Sequence, residues 1–139
     1  MKIYLYFIGK PKDPHANAIA ADFLGRAARY CPCEMREIRQ DRFDLWERHP
    51  TARKIFLDPA GKPADSAAFS KVLAKAEMEG RDLVFLIGGH DGLPPGWSVR
   101  ADQLLSLSTM TFPHELARAM LAEQIYRGFC MLRNHPYVR

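Results

Sequence analysis

The stretch Leu83-Val84-Phe85-Leu86-Ile87-Gly88-Gly89-His90-Asp91-Gly92 decides the fold class of this chain. Its first half is apolar on both faces, which predicts a strand in the middle of a parallel sheet that helices cover. The glycine-rich turn that follows ends the strand. Because glycine lacks a side chain, the backbone of this turn can approach a ligand closely or adopt a positive φ.

Segments on either side of this strand alternate between strand and helix patterns. Further strands are predicted at 2–8, 34–39, 54–58 and 103–107, the third of them stopped by the turn at 59–63. Helices are predicted after Asp13-Pro14 up to Pro32, from Asp65 or Ser66 to Gly80, and from Pro113 onward, with a helical turn or two at 41–49. This alternation indicates an α/β fold with a mostly parallel sheet flanked by helices, in one domain spanning 1–139.

The last helix has an amphipathic pattern. Its buried face is predicted to comprise Leu116, Met120, Leu121, Ile125 and Phe129. The charged residues of the same helix are expected largely on its other faces: Glu115, Arg118, Glu123 and Arg127.

Composition and charge are those of an ordinary globular protein with a mildly basic balance. The chain has 47% apolar residues, 26% charged residues and a formal net charge of +4. That charge permits an anionic partner such as nucleic acid without requiring one. The apolar run at 3–8 is broken by Gly9-Lys10-Pro11, so it lacks the features of a signal peptide, and no run has the length of a membrane span. We therefore expect a cytoplasmic protein without a membrane partner.

The cysteines do not have the spacing of a metal site. Cys31-Pro32-Cys33 lacks the two-residue spacer of a redox or zinc pair, and the chain has three cysteines, an odd number. Small buried thiols explain this usage better than metal ligands. We expect no metal.

Three loops follow predicted strands and offer a ligand site. They are 57–62, with a proline and a glycine, 88–92, with three glycines, and 108–113, with hydroxyl groups and an apolar wall. In parallel α/β sheets, ligands bind at the loops beyond the carboxyl ends of the strands. Together these loops could hold an adenine-like ring. Taken alone, Gly88-Gly89 is more typical of a tight turn, and the dinucleotide pattern G-x-G-x-x-G is absent.

Spaced motifs along nearly the whole chain resemble one known family. They are Leu86-Ile87-Gly88-Gly89, Leu107-Ser108, Thr111-Phe112-Pro113-His114, Ala122-Glu123-Gln124-Ile125-Tyr126-Arg127 and Asn134-His135-Pro136-Tyr137. In this order they resemble the large-subunit ribosomal RNA pseudouridine N3-methyltransferases of the SPOUT superfamily. The segment at 2–9 and Leu57-Asp58 with Gly61-Lys62 also fit that family.

This resemblance implies a fold, a cofactor and partners. It implies an α/β knot, in which about 84–139 form a deep C-terminal trefoil knot, and a homodimer that methylates 23S ribosomal RNA. S-adenosyl-L-methionine is the implied cofactor. Carried over by motif position, its contacts fall on Leu57, Gly88, Gly89 and Ser108-Thr109-Met110-Thr111-Phe112-Pro113.

The resemblance also implies where catalysis occurs. N3 of pseudouridine carries a proton at neutral pH, so methylation requires a base or cationic groups that stabilise a developing anion. The candidates are His114, His135, Tyr137 and Arg139. His114 or His135 could take the proton, since histidine titrates near neutrality, and Arg139 could stabilise negative charge or clamp a phosphate. Two plainer roles stay open: a helix cap for His114 and a frayed end for the tail.

RNA contact is expected from arginines that neutralise phosphates, namely Arg118, Arg127, Arg133 and Arg139. The segment at 38–54 is shorter than is usual in the family, which leaves the RNA footprint open. Two alternative functions are a SPOUT methyltransferase acting on transfer RNA and a non-catalytic ribosome-binding factor.

Overall fold

The computed structural model describes residues 1–138 of the chain and shows an α/β fold. Its strands are β1 (Ile3–Phe7), β2 (Cys33–Glu37), β3 (Arg53–Pro63), β4 (Leu83–Ile87) and β5 (Gln103–Ser106). Its helices are α1 (Pro14–Ala27), α2 (Leu45–Arg48), α3 (Ser66–Glu79) and α4 (His114–Leu132), with short 3-10 turns at Ser98–Arg100 and Pro136–Val138. The predicted elements are all present, with shifted ends.

The sheet is parallel throughout, with strand order β2-β1-β4-β3-β5. β4 lies between β1 and β3, and each of its residues is buried. The central position predicted from the stretch at 83–92 is therefore confirmed. Because the strands run in one direction, the loops after β3, β4 and β5 lie at one edge of the sheet.

The two faces of the sheet are covered differently. One face packs against α1, α3 and α4 through a large cluster that includes Leu5, Phe85 and Phe129. The other face carries a smaller cluster around Phe56 and Leu86, covered by aromatic side chains of α2 and of the β4–β5 connection. The three long helices thus form one layer, and the opposite face has only a thin cover.

The capping residues expected from the sequence are found at the ends of α1 and α3. The Asp13 carboxylate accepts hydrogen bonds from the backbone N–H groups of His15 and Ala16 at the start of α1. Asp65, rather than Ser66, caps α3 by accepting from the N–H of Ala68. Gly80 ends α3 with a φ of 64°, the left-handed conformation that glycine adopts at little cost.

β3 differs from the prediction because it does not stop at Pro59. It continues to Pro63 through an irregularity, so that both Leu57 and Lys62 pair with Leu105 of β5. A Cβ atom at Gly61 would lie 2.7 Å from the carbonyl carbon of Leu104, so only glycine allows this close approach. Proline is tolerated at a β-bulge, so Pro59 does not end the strand.

The predicted face of α4 is partly wrong. Leu121, Ile125 and Phe129 are buried, but Leu116 is 43% exposed and Met120 is only half-buried. Glu115 and Arg118, which were expected on other faces, are buried instead. The reason is that α4 packs between α1 and α3 and also covers the β1–α1 loop, so its first two turns bury a second, polar face.

Candidate functional site

A cavity of about 280 Å³ lies at the carboxyl ends of β3, β4 and β5. The three loops selected from the sequence meet there. Six of the predicted cofactor contacts line it: Leu57, Gly88, Gly89, Ser108, Met110 and Phe112. Thr109, Thr111 and Pro113 belong to the same loop but do not line the cavity. Its wall is mostly apolar with few polar groups, the usual composition of a small-molecule pocket.

The glycine turn after β4 needs both of its first two glycines. A Cβ atom at Gly88 would lie 2.5 Å from the carbonyl oxygen of Gly92, and one at Gly89 would lie 2.9 Å from the carbonyl oxygen of Ile8. The turn is closed by a hydrogen bond of 3.0 Å from the Gly92 N–H to the Gly89 carbonyl, with a φ of 80° at Gly92. The segment is a tight turn, and the same turn forms one wall of the cavity. A tight turn therefore does not exclude a role in ligand binding.

The loop after β5 is shaped by its own hydroxyl groups. The Ser106 hydroxyl donates to the Ser108 carbonyl at 2.8 Å, and the Ser108 hydroxyl accepts from the Met110 N–H at 3.0 Å. These bonds curl the loop back toward β5 and leave the Met110 side chain 70% exposed. The hydroxyl residues predicted as ligand contacts therefore also fix the backbone of the loop.

Several residues that line the cavity were not predicted individually. They are Asp58, Pro59, Ile87, Gly92, Leu93, Leu105, Leu107 and Ala117. Ile87 is the last residue of β4 and Leu107 directly follows β5, so the strand ends were the available signal for these two. Ala117 faces the cavity from the first turn of α4, where helical spacing from Pro113 could have indicated it.

His114 is the first residue of α4 and lines the same cavity. The preceding residue, Pro113, makes no side-chain capping bond. Among residues 1–138 no hydrogen bond of the His114 ring to the first turn is found, so capping does not explain its position. His114 therefore stays a candidate for contact with a substrate in this cavity.

The C-terminal tail is folded through Val138 but lies away from this cavity within one chain. The Tyr137 hydroxyl donates to the Glu123 carboxylate at 2.5 Å, and its ring centre is 4.8 Å from that of Tyr126. Burial, followed by this bond, raises the pKa of Tyr137 to about 12. His135 accepts from the Tyr137 N–H at 3.1 Å through Nδ1. Arg139, the fourth predicted catalytic residue, lies outside the described residues.

The arginines predicted to contact RNA differ in their surroundings. Arg118 is fully buried, with its guanidinium 3.7 Å from the centre of the Phe7 ring and 3.0 Å from the Asn17 amide oxygen, to which it donates. Its prediction as a phosphate contact is wrong, because a buried guanidinium cannot meet the RNA backbone.

Two of the other arginines lie at the surface in ion pairs. Arg127 is 2.8 Å from the Glu123 carboxylate, and Arg133 is 2.6 Å from the Glu77 carboxylate. Both stay candidates for RNA contact, although each would have to share its charge with a carboxylate. Arg139, also predicted for this role, is outside the described part of the chain.

Comparison with known proteins places the chain in a family. A family model described as "Predicted SPOUT methyltransferase" matches residues 1–137. The chain belongs to the SPOUT methyltransferase family. This SPOUT methyltransferase is 83% identical over 139 residues to a Solibacter usitatus protein named Ribosomal RNA large subunit methyltransferase H, with 100% of both chains covered. A Sorangium cellulosum protein of the same name is 38% identical over 143 residues, covering 99% of each chain.

Solved structures share the fold of this SPOUT methyltransferase at low identity. A probable methylase family protein from Haemophilus influenzae superposes with a TM-score of 0.60 at 9% identity, covering 99% of this chain and 70% of that one. An AdoMet-bound rRNA methyltransferase from Sinorhizobium meliloti gives a TM-score of 0.53 at 12% identity, covering 91% of this chain and 56% of that one.

Neither a metal cluster nor a membrane-spanning helix is found in the part of the SPOUT methyltransferase that the structure describes. In 1–138, no three histidine, cysteine, aspartate or glutamate side chains come together as possible metal ligands. None of the helices in the same range has the length and hydropathy needed to cross a membrane.

Proposed function

We propose that this chain is an S-adenosylmethionine-dependent methyltransferase that acts on N3 of a pseudouridine in 23S ribosomal RNA, in the cytoplasm and on the assembled ribosome. The observation that carries the proposal is the full-length identity of 83% to a relative named Ribosomal RNA large subunit methyltransferase H. It is supported by the cavity at the sheet edge, which six of the residues expected to contact the cofactor line.

The residues that line the cavity support its assignment to the cofactor. Leu57, Leu105 and Phe112 provide apolar wall for a purine ring, while the backbone at Gly88 and Gly89 approaches without side chains. Its volume of about 280 Å³ is near the lower end of the roughly 300–1,000 Å³ of ligand sites. When bound there, S-adenosylmethionine supplies a methyl group on a positively charged sulfur.

The chain's own residues must align the acceptor and remove its proton. His114 lines the cavity wall, which supports a role for it as the acceptor of the N3 proton. Arg139 stays a candidate for stabilising negative charge on the base. We expect Arg139→Ala to impair methylation far more than cofactor binding; an equal loss of both would contradict this role.

A homodimer would explain the position of the tail. An apolar groove of about 540 Å³ runs between α1 and α4, where Ile19 is 47% and Leu116 is 43% exposed. Glu123, which accepts the Tyr137 hydroxyl, also lines this groove. If a second copy covers the groove, His135 and Tyr137 lie at the subunit boundary, and each tail completes the site of the partner subunit.

The proposal includes the trefoil knot at about 84–139. It is supported by the SPOUT family match and by a parallel sheet in which β5 is reached after β4 and β3 already lie side by side.

Calorimetric titration with S-adenosylmethionine, followed by methyl transfer to ribosomes and to transfer RNA, tests this function. We expect saturable binding and methylation of 70S particles at a pseudouridine N3. Methylation of transfer RNA alone would favour a SPOUT methyltransferase that acts on transfer RNA. Binding of ribosomes without binding of the cofactor would favour a non-catalytic ribosome-binding factor.

A further inference from the structure

A second cavity, of about 300 Å³, adjoins the cofactor cavity. It lies between the β1–α1 loop, the β4 turn and the start of α4, and His114 lines both cavities. Lys10, Lys12 and His90 also line it, as do the two carboxylates Asp13 and Glu115. None of these residues except His114 was assigned a role from the sequence.

Both carboxylates of this cavity are occupied by backbone N–H groups. Asp13 accepts from the N–H groups of His15 and Ala16, at 3.0 and 3.1 Å, and so caps α1. Glu115 accepts from the N–H groups of Lys12 and Asp13, at 2.5 and 2.6 Å. Asp13 uses a single carboxylate oxygen, Oδ1, for both bonds, whereas each oxygen of Glu115 accepts one.

The two lysines keep their charge available. Both side chains are exposed, and within 1–138 neither ammonium group takes part in an ion pair with a carboxylate. His90 and His114 also line the cavity. The cavity therefore presents two unpaired ammonium groups and two imidazoles beside the place where the methyl donor is proposed to bind.

The loop that carries the lysines is fixed by hydrogen bonds to α4. Glu115 fixes its backbone, and the next turn of α4 places Arg118 against Phe7 and Asn17. A lysine on a fixed backbone loses less conformational entropy on binding than one on a mobile loop. The buried guanidinium of Arg118 thus contacts the elements on either side of the loop, Phe7 in β1 and Asn17 in α1.

We infer that this second cavity binds a backbone phosphate of the RNA substrate next to the nucleoside that is methylated. The inference rests on the proposed function and names the substrate side of the same site. Lysine ammonium groups are strongly attractive point charges for phosphate oxygens, and imidazoles can donate to the same oxygens. A phosphate held here leaves the adjoining base free to enter the cofactor cavity past His114.

The direct test is a titration of the ¹⁵N-labelled protein with uridylyl-uridine, a dinucleotide with one phosphodiester, in the presence of S-adenosylhomocysteine. We expect saturable shifts of the amide signals of Gly9, His90 and His114. Uridine, which lacks the phosphate, should bind at least tenfold more weakly, and inorganic phosphate should shift the same signals. This readout does not require methyl transfer, so it stands even where the proposed function fails.

Two double variants of equal charge change separate this site from general electrostatics. Lys10→Ala/Lys12→Ala should weaken uridylyl-uridine binding and raise the KM for ribosomes about tenfold, while Lys71→Ala/Lys75→Ala, on exposed positions of α3, should change neither. Equal effects of the two variants would overturn the site, as would uridine binding as well as the dinucleotide. A loss of S-adenosylmethionine affinity in Lys10→Ala/Lys12→Ala would instead assign the cavity to the carboxylate of the cofactor and overturn the inference.

Discussion

Gly88 illustrates how one residue can shape the cavity at the sheet edge without contributing a functional group. Its missing side chain lets the backbone of Gly92 pass so closely that a Cβ atom would lie 2.5 Å from the Gly92 carbonyl oxygen. Gly88→Ala must push the turn apart, since the clash is with backbone. We expect at least a tenfold loss of S-adenosylmethionine affinity in calorimetry, with the fold retained by circular dichroism.

Gly25→Ala is the matched control for this substitution. Gly25 lies in α1, and a Cβ atom added there would have nothing within 4 Å, so alanine should stabilise the helix by about 0.5–1 kcal/mol and leave cofactor binding unchanged. If Gly88→Ala bound S-adenosylmethionine with wild-type affinity, the close approach of the backbone at this turn would not be needed for cofactor binding.

His49 is the residue from which we expect a pH effect on stability. The Tyr6 hydroxyl and Nε2 of His49 form a buried hydrogen bond of 2.7 Å. Burial, followed by the charge of Arg48, lowers the pKa of His49 below 6.5. The unfolded chain therefore binds a proton that the folded chain does not, so this contribution to stability is complete above 6.5 and declines as the pH falls below it.

The free energy of unfolding, measured in urea between pH 7.5 and 5, should show this decline. His49→Gln keeps a side chain that can hydrogen-bond to Tyr6 but does not titrate, so it should flatten the dependence, whereas His15→Gln, at an exposed position, should not. The same slope in wild type and His49→Gln would contradict the role of His49. Glu115 and Glu123 have lowered pKa values, so their contributions to stability are lost only as the pH falls below 4.5.

At the scale of elements, the junction between α4 and the β1–α1 loop depends on one carboxylate. Glu115 accepts from two successive N–H groups, and these bonds, that of Lys12 foremost, lower its pKa. The amide of a glutamine offers one acceptor oxygen, and its NH₂ group would face the other N–H. In Glu115→Gln we expect amide exchange at Lys12 and Asp13 to become several-fold faster.

Glu79→Gln, at an exposed position of α3, is the control for the loss of one negative charge. Hydrogen exchange followed by NMR resolves both amides. Unchanged exchange in Glu115→Gln would mean that other contacts hold the loop, and the lysine cavity would then lose its rigid frame.

At the scale of the whole molecule, we expect the groove between α1 and α4 to be covered by a second copy. Leu116→Glu places a charge in that groove and should yield monomers in sedimentation velocity, together with loss of methylation, because the tail no longer reaches a partner. Met78→Glu is the matched control, since Met78 is 82% exposed on α3 and lies outside the groove. Dimers that persist in Leu116→Glu would place the interface elsewhere.

The sequence by itself determined the element order, the central strand and the three loops that meet at the cavity. These are local features: an apolar run at Leu83–Ile87, caps at Asp13, Asp65 and Gly80, and glycines where the backbone turns. Such signals depend on neighbouring residues, and parallel strands then bring their ends together by geometry alone.

Only the tertiary structure decided which charged side chains of α4 face inward. Arg118 and Leu116 occupy neighbouring turns, and periodicity predicted the leucine inside and the arginine outside, the reverse of what is found. Arg118 is buried because Phe7 and Asn17, far away in the sequence, provide an aromatic face and an amide acceptor for it. Contacts of that kind depend on how α4 crosses the β1–α1 loop, which local sequence does not encode.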